Sequence, residues 1–226
     1  MADFTEEEIK GALDSIGDLK APGPDGMVHV FYKRFWDIVV RKITAEVIQF
    51  LKGGEMPQHW NETIISLIPK VPLPDKVTDL RPISLCNVLY KTISKVLANC
   101  LKKILPIIIS DNQSAFVPGC LISDNILIAY ELTHFLKNKI KGADGWAAIK
   151  LGMSKAYDHV EWSFLQAMIV KLGLCQEWIS LIMKCVTPVS YRVKVNGNIG
   201  ASFAPGGGLQ QGVMGYVIPD LPLGSR

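Results

Sequence analysis

Residues 190–197 read Ser-Tyr-Arg-Val-Lys-Val-Asn-Gly, and no other stretch of the chain narrows the fold as far. Tyr191, Val193 and Val195 alternate with Ser190, Arg192 and Lys194, the period of a strand with one apolar and one polar face. Asn196-Gly197 then offers the two residue types that accept positive φ, which a type I′ turn demands at both central positions. The run predicts an antiparallel hairpin with a return strand over about Ile199 to Phe203. A chain carrying such a hairpin must build a sheet and cover one face of it.

The cover is written elsewhere as helical periodicity. Thr5 and Glu8 form a capping box ahead of Ile9, Leu13 and Ile16, so a first helix should end near Gly17. Ala21-Pro22-Gly23-Pro24-Asp25-Gly26 admits neither helix nor inner strand and is a turn-rich loop. A longer amphipathic helix is expected from about Val28 to Leu51, stopping at Gly53-Gly54. Leu89, Ile93, Val96, Leu97, Leu101 and Ile104 mark the face of another, up to Pro106, and a further helix is expected from Asp124 to Asn138. Asp158 and Glu161 can cap the helix carrying Trp162, Leu165, Ile169 and Leu172, with Gln176 to Lys184 extending the helical region. Three more runs read as strands: Thr63 to Ile68, closed by Pro69; Arg81 to Leu85, where Pro82 points to an edge or a strand start; and Trp146 to Leu151. Helices with a hairpin and short strands make the fold class α+β.

At 226 residues the chain has room for one large domain or two small ones, and 49% hydrophobic residues can supply a core. Charged residues are 20% and the net charge is +3, a globular balance that permits nucleic-acid binding without arguing for it. The five cysteines form no CxxC pair, which speaks against a disulfide framework or zinc site and for a reducing compartment. His29, His59, His134 and His159 lack metal-ligand spacing. The N-terminus is acidic and unlike a signal peptide, and the most apolar run, around Leu105 to Ile109, is too short to span a membrane.

Six phrases then occur in order: Ala21-Pro22-Gly23-Pro24-Asp25-Gly26, Leu67-Ile68-Pro69-Lys70, Leu80-Arg81-Pro82-Ile83-Ser84-Leu85, Gln113-Ser114-Ala115-Phe116-Val117, Ser154-Lys155-Ala156-Tyr157-Asp158 and Gly208-Leu209-Gln210-Gln211-Gly212. Together they resemble the reverse transcriptase domain of LINE-type, non-LTR retrotransposons, in the branch common in plant genomes, over about residues 1 to 212. The resemblance implies a right-hand polymerase, with helices and fingers over 1–145, an incomplete palm over 146–212, an unrelated tail over 213–226 and no thumb. It implies RNA-directed DNA synthesis, a phosphoryl transfer served by two Mg²⁺ ions held on carboxylates. RNA or primer-template would be the partner and the nucleus a fitting location.

By position, the resemblance assigns Lys70 and Arg81 to the incoming triphosphate, Tyr157 to discrimination against a ribose 2′-OH, and Gln211 with Gly212 to nucleotide and template. Read alone, the two cations would be solvated surface charges, Tyr157 a core aromatic and Gln211-Gly212 a turn. Asp158 could be catalytic, but its spacing to Glu161 favours the cap.

The departures share a direction. Gly152 stands where the pattern has the Asp that holds both metals, and neither Asp144 nor Asp158 is expected to reach that point. The paired aspartates expected beyond the Gln-Gly phrase do not occur in the sequence. Cys100, Cys120, His159 and Gln210 occupy places where the pattern favours Arg, and each is one transition from an Arg codon beginning CG. The resemblance therefore implies a truncated, pseudogene-like copy that binds no Mg²⁺ and is catalytically inactive. The alternative is a nucleic-acid-binding module that keeps the fingers, supported by Lys70, Arg81, Lys102, Lys103, Lys137, Lys139 and Lys141.

Overall fold

The computed structural model describes residues 3–57, 59–110, 121–139, 142, 145–152 and 156–209. The first element, α1 (Glu6–Asp14), has the expected capping box: the Thr5 hydroxyl accepts from the Glu8 N–H while the Glu8 carboxylate accepts from the Thr5 N–H. Its last carbonyls are met from outside the helix. The Lys33 ammonium donates to the carbonyls of Asp14 and Ile16 and pairs with Asp18 at 2.6 Å.

The helix expected over Val28 to Leu51 is two helices, α2 (His29–Arg34) and α3 (Trp36–Leu51), broken at Phe35. The backbone leaves the helical region at Phe35, with φ −106° and ψ 23°, inside the aromatic run Phe31, Tyr32, Phe35 and Trp36. Tyr32 and Trp36 are both buried, and Phe31 packs edge-on to Tyr32 and tilted against Phe35. Lys184 closes the far end of α3 by donating to the carbonyls of Gly53 and Gly54 and pairing with Glu55.

The sheet has four strands in the order β2-β1-β3-β4. Strand β1 (Glu62–Pro69) pairs antiparallel with β2 (Leu80–Cys86), from Thr63 opposite Cys86 to Pro69 opposite Leu80. Pro82 lies on an edge strand, where its missing N–H costs nothing. On its other side β1 runs parallel to β3 (Ser190–Val195), with Thr63 opposite Tyr191 and Ile65 opposite Val193. The hairpin turn is as expected, with positive φ at Asn196 and Gly197. Its return is shorter than expected: β4 is Asn198–Ile199, and Phe203 rejoins β3 only through a bridge to Tyr191. The sheet thus joins strands from both sides of residue 145.

Helix α4 (Val88–Lys102) runs through the core, with Tyr90, Ile93, Leu97 and Leu101 buried. The Tyr90 hydroxyl donates to the Cys185 carbonyl, which ties α4 to α8 (Gln176–Val186). Pro106 does not end α4 directly; it opens a separate short helix, α5 (Leu105–Ile108). Helices α6 (Ile122–Asn138) and α7 (Trp162–Lys171) complete the described elements, with α8 a distinct helix after α7. No helix among the described residues is long and apolar enough to cross a membrane.

Two further expectations are corrected. Residues 146–151 form no strand: Trp146, Ile149 and Leu151 are 64%, 82% and 88% exposed, and no strand among the described residues pairs with them. Apolar content drives a strand only where something covers it. Asp158 does not cap α7 either. The cap residue is Glu161, without a side-chain cap bond, and Asp158 belongs to a 3₁₀ turn over Ala156–His159.

Candidate functional site

The loop at 21–26 docks on the start of α4. An added Cβ at Gly23 would lie 2.4 Å from both the backbone nitrogen and Oδ1 of Asn87, so only glycine permits this approach. Asn87 Oδ1 accepts from the Asp25 N–H, its Nδ2 donates to the His59 carbonyl at 2.7 Å, and the Lys91 ammonium donates to the Ala21 carbonyl at 2.8 Å. Burial pushes the Asp25 carboxyl above its usual value and the Lys91 ammonium below its own. His29 is wholly buried here. Among the described residues neither ring nitrogen has a hydrogen-bond partner, and burial, with Lys91 and Lys33 nearby, pushes its pKa down to about 4. This cluster fixes where β2 hands over to α4.

A cleft of about 490 Å³ opens at the other end of the sheet. Register explains its floor. Ile65, Ser84 and Pro82 share one sheet face with Tyr191, Thr63 and Cys86. That face is covered where Thr63 and Cys86 are buried and lines the cleft at Ile65, Ser84 and Pro82. The turn between β1 and β2 forms one wall through Lys70, Val77 and Thr78. The Lys70 N–H donates to the Asp79 carbonyl at 2.7 Å and its ammonium to the Thr78 carbonyl at 2.9 Å. Asp79 in turn accepts from the N–H groups of Asp75 and Lys76, so the turn is well tied.

The opposite wall joins the 3₁₀ turn to the glycine-rich segment. The Leu209 N–H donates to the Tyr157 carbonyl at 2.9 Å, the Gly208 N–H to the Val160 carbonyl at 2.8 Å, and the Trp162 indole to the Gly208 carbonyl at 2.9 Å. Gly208 has φ +84°, and a Cβ there would come within 3.2 Å of the Asp158 carbonyl oxygen. These bonds hold Asp158 and Leu209 at the cleft.

The cleft thus brings together Lys70, Arg81 and Asp158 from three separate sequence phrases. Neither Lys70 nor Arg81 makes an ion pair among the described residues. Alternation along β2 places the Arg81 Cβ on the face opposite Pro82 and Ser84; on an edge strand a side chain of arginine's length can turn back over the edge. Tyr157 is half-buried against the core behind the turn. Gln211 and Gly212 lie outside the described residues, as do Gln113 to Val117, Cys120, Asp144 and the tail from 213 onward. Gly152 is described, and a Cβ built on it meets nothing within 4 Å. Tyr191 is the cleft residue that sequence reading missed. It registered only as one beat of an alternating strand, and nothing local announces that β3 lies parallel to β1.

The profile of the family described as reverse transcriptase (RNA-dependent DNA polymerase) matches residues 68–215, more than half the chain. A transposon TX1 uncharacterized 149 kDa protein of Xenopus laevis is 28% identical over 209 residues, covering 92% of this chain and 16% of that protein. A retrovirus-related Pol polyprotein from the type-1 retrotransposable element R2 of Nasonia vitripennis is 26% identical over 192 residues, covering 85% of this chain and 18% of that protein. The chain therefore spans less than a fifth of either relative. The matched span holds Lys70, Arg81, Asp158 and the whole segment that closes the cleft, and the chain belongs to the reverse transcriptase (RNA-dependent DNA polymerase) family.

Proposed function

We propose that this chain is the fingers, over 1–145, and part of the palm, over 146–212, of a non-LTR retrotransposon reverse transcriptase, and that it receives a nucleotide in the cleft without catalysing its transfer. The two cationic side chains at the cleft support the binding half of this reading. Neither forms an ion pair among the described residues, so a phosphate would not have to displace a carboxylate partner. Gln211 and Gly212, two and three residues after the cleft-lining Leu209 in sequence, are assigned by the family resemblance to contacts with nucleotide and template.

The observation that carries the loss of transfer is Gly152. The family's chemistry uses two magnesium ions, and hard cations of this kind need several convergent carboxylate oxygens. Position 152 offers no side chain. Asp158 is the one carboxylate lining the cleft among the described residues, and no group of three or more His, Cys, Asp or Glu side chains among them could hold a metal ion. These residues do not fit a two-metal centre.

A primer-extension assay on an RNA template with Mg²⁺ or Mn²⁺ tests the reading. The expected result is no templated incorporation above that of a heat-denatured sample. Template-directed extension by the purified chain would overturn it.

A further inference from the structure

We propose that Tyr191 is the base-stacking platform of the cleft, so that a nucleotide lies with its phosphates toward Lys70 and Arg81 and its base on the Tyr191 ring. The proposal rests on the nucleotide reading above and adds to it the residue that would recognise the base.

Three independent observations converge on Tyr191. Tyr191 lines the same cleft as both cations, and the cleft's volume of about 490 Å³ falls within the range of small-molecule sites. Its register places it on the sheet face shared with Ile65, Ser84 and Pro82, so the cleft floor beside it is largely apolar. And its position is fixed from behind. The Tyr191 N–H donates to the Phe203 carbonyl at 2.8 Å and the Phe203 N–H returns to the Tyr191 carbonyl at 2.9 Å. The Phe203 ring meets it edge-on, with centroids 5.8 Å apart and planes at 62°.

An aromatic side chain held by a two-bond backbone bridge and a neighbouring ring loses little freedom when a base lands on it, which is what a stacking surface needs. Stacking requires only a π-face on the ligand, so the platform accepts any of the bases and discriminates instead between a nucleotide and a bare polyphosphate. The bridge also explains why a residue as far along as Phe203 returns to β3 after β4 has ended: it braces the ring.

Equilibrium binding of deoxyadenosine triphosphate and of inorganic tripolyphosphate, measured by calorimetry in the presence of a chelator, separates the two halves of the site. Tyr191→Ala is expected to weaken the nucleotide about 10-fold or more and to leave tripolyphosphate binding unchanged. Tyr191→Phe keeps the ring and is expected to bind both like the parent. Lys70→Ala is expected to weaken both ligands. Equal loss of both ligands in Tyr191→Ala, or no loss of the nucleotide, overturns the platform. If Lys70→Ala then still weakens both ligands, the nucleotide reading stands without it. Failure of the parent chain to bind either ligand overturns both.

Discussion

Two glycine-bearing segments of this molecule sit in opposite surroundings. At Gly23 the loop presses onto the start of α4 so closely that a single added carbon would overlap Asn87 at 2.4 Å and the Cys86 carbonyl carbon at 2.5 Å. At Gly152 the same carbon would touch nothing within 4 Å, and the residues leading up to it are among the most exposed apolar side chains of the chain. Both glycines fall in or beside phrases that identify the family. The first is there because the fold has no room for anything else. The second occupies a place where the described fold imposes no such demand, because a side chain there would meet open space.

The largest expected consequence of that difference is in stability. Gly23→Ala forces the loop off the β2–α4 junction or strains Asn87, which bonds Asp25 and the carbonyls of His59 and Trp60. We expect a loss of about 3 kcal/mol, read as a lower urea midpoint at unchanged slope. A midpoint within error of the parent would mean that the loop can lift away freely, and the contrast between the two segments would fail at its stronger end.

The same junction carries a pH dependence that the exposed segment lacks. His29 titrates near 6.5 when unfolded and near 4 in the folded chain. Its neutral form therefore stabilises the fold fully above pH 6.5, and that contribution drains away as the pH falls through 6.5 toward 4. Acidification from about pH 7 to pH 5 is expected to cost about 2 kcal/mol. The groups around His29 are Lys91, Lys33, Lys20 and Asp18. Asp25, raised by burial, acts in the opposite sense because the folded state holds its proton more tightly. The His29→Leu variant isolates the histidine: its urea midpoint should fall less steeply over this interval. An identical slope in parent and variant would remove His29 from the account.

What the sequence disclosed follows the same division. Local chemistry was legible wherever neighbours in the chain decide the outcome. The Thr5–Glu8 capping box, the edge strand marked by Pro82 and the Asn196-Gly197 turn all formed as read. Partners distant in sequence were not legible. Nothing in residues 146–151 shows that no strand among the described residues lies beside them, and an apolar run that joins no sheet stays irregular. The parallel pairing of β1 with β3 joins residues 62–66 to 190–194, and it is this long-range step that brings Tyr191 to the cleft. Asp158 was misread for a related reason. Its spacing to Glu161 satisfies a capping rule, but the bonds from Gly208 and Leu209 to the backbone of Val160 and Tyr157 hold the turn against another segment instead.

The smallest expected effect is the sharpest test of the contrast. Gly152 lacks the positive φ found at Gly26, Gly53, Gly142, Gly173, Gly197 and Gly208, so no backbone requirement reserves the position for glycine. With open space around its Cβ, both Gly152→Ala and Gly152→Asp should unfold within about 0.5 kcal/mol of the parent. Aspartate matters more than alanine here, because it supplies a carboxylate at the place where the proposed function finds a metal ligand missing. If Gly152→Asp is as stable as the parent, the fold accepts the carboxylate that the proposed function finds missing, and nothing in the architecture requires glycine there. If it is destabilised to the degree expected of Gly23→Ala, residues 145–152 pack against something that makes glycine necessary, and the two segments are alike after all.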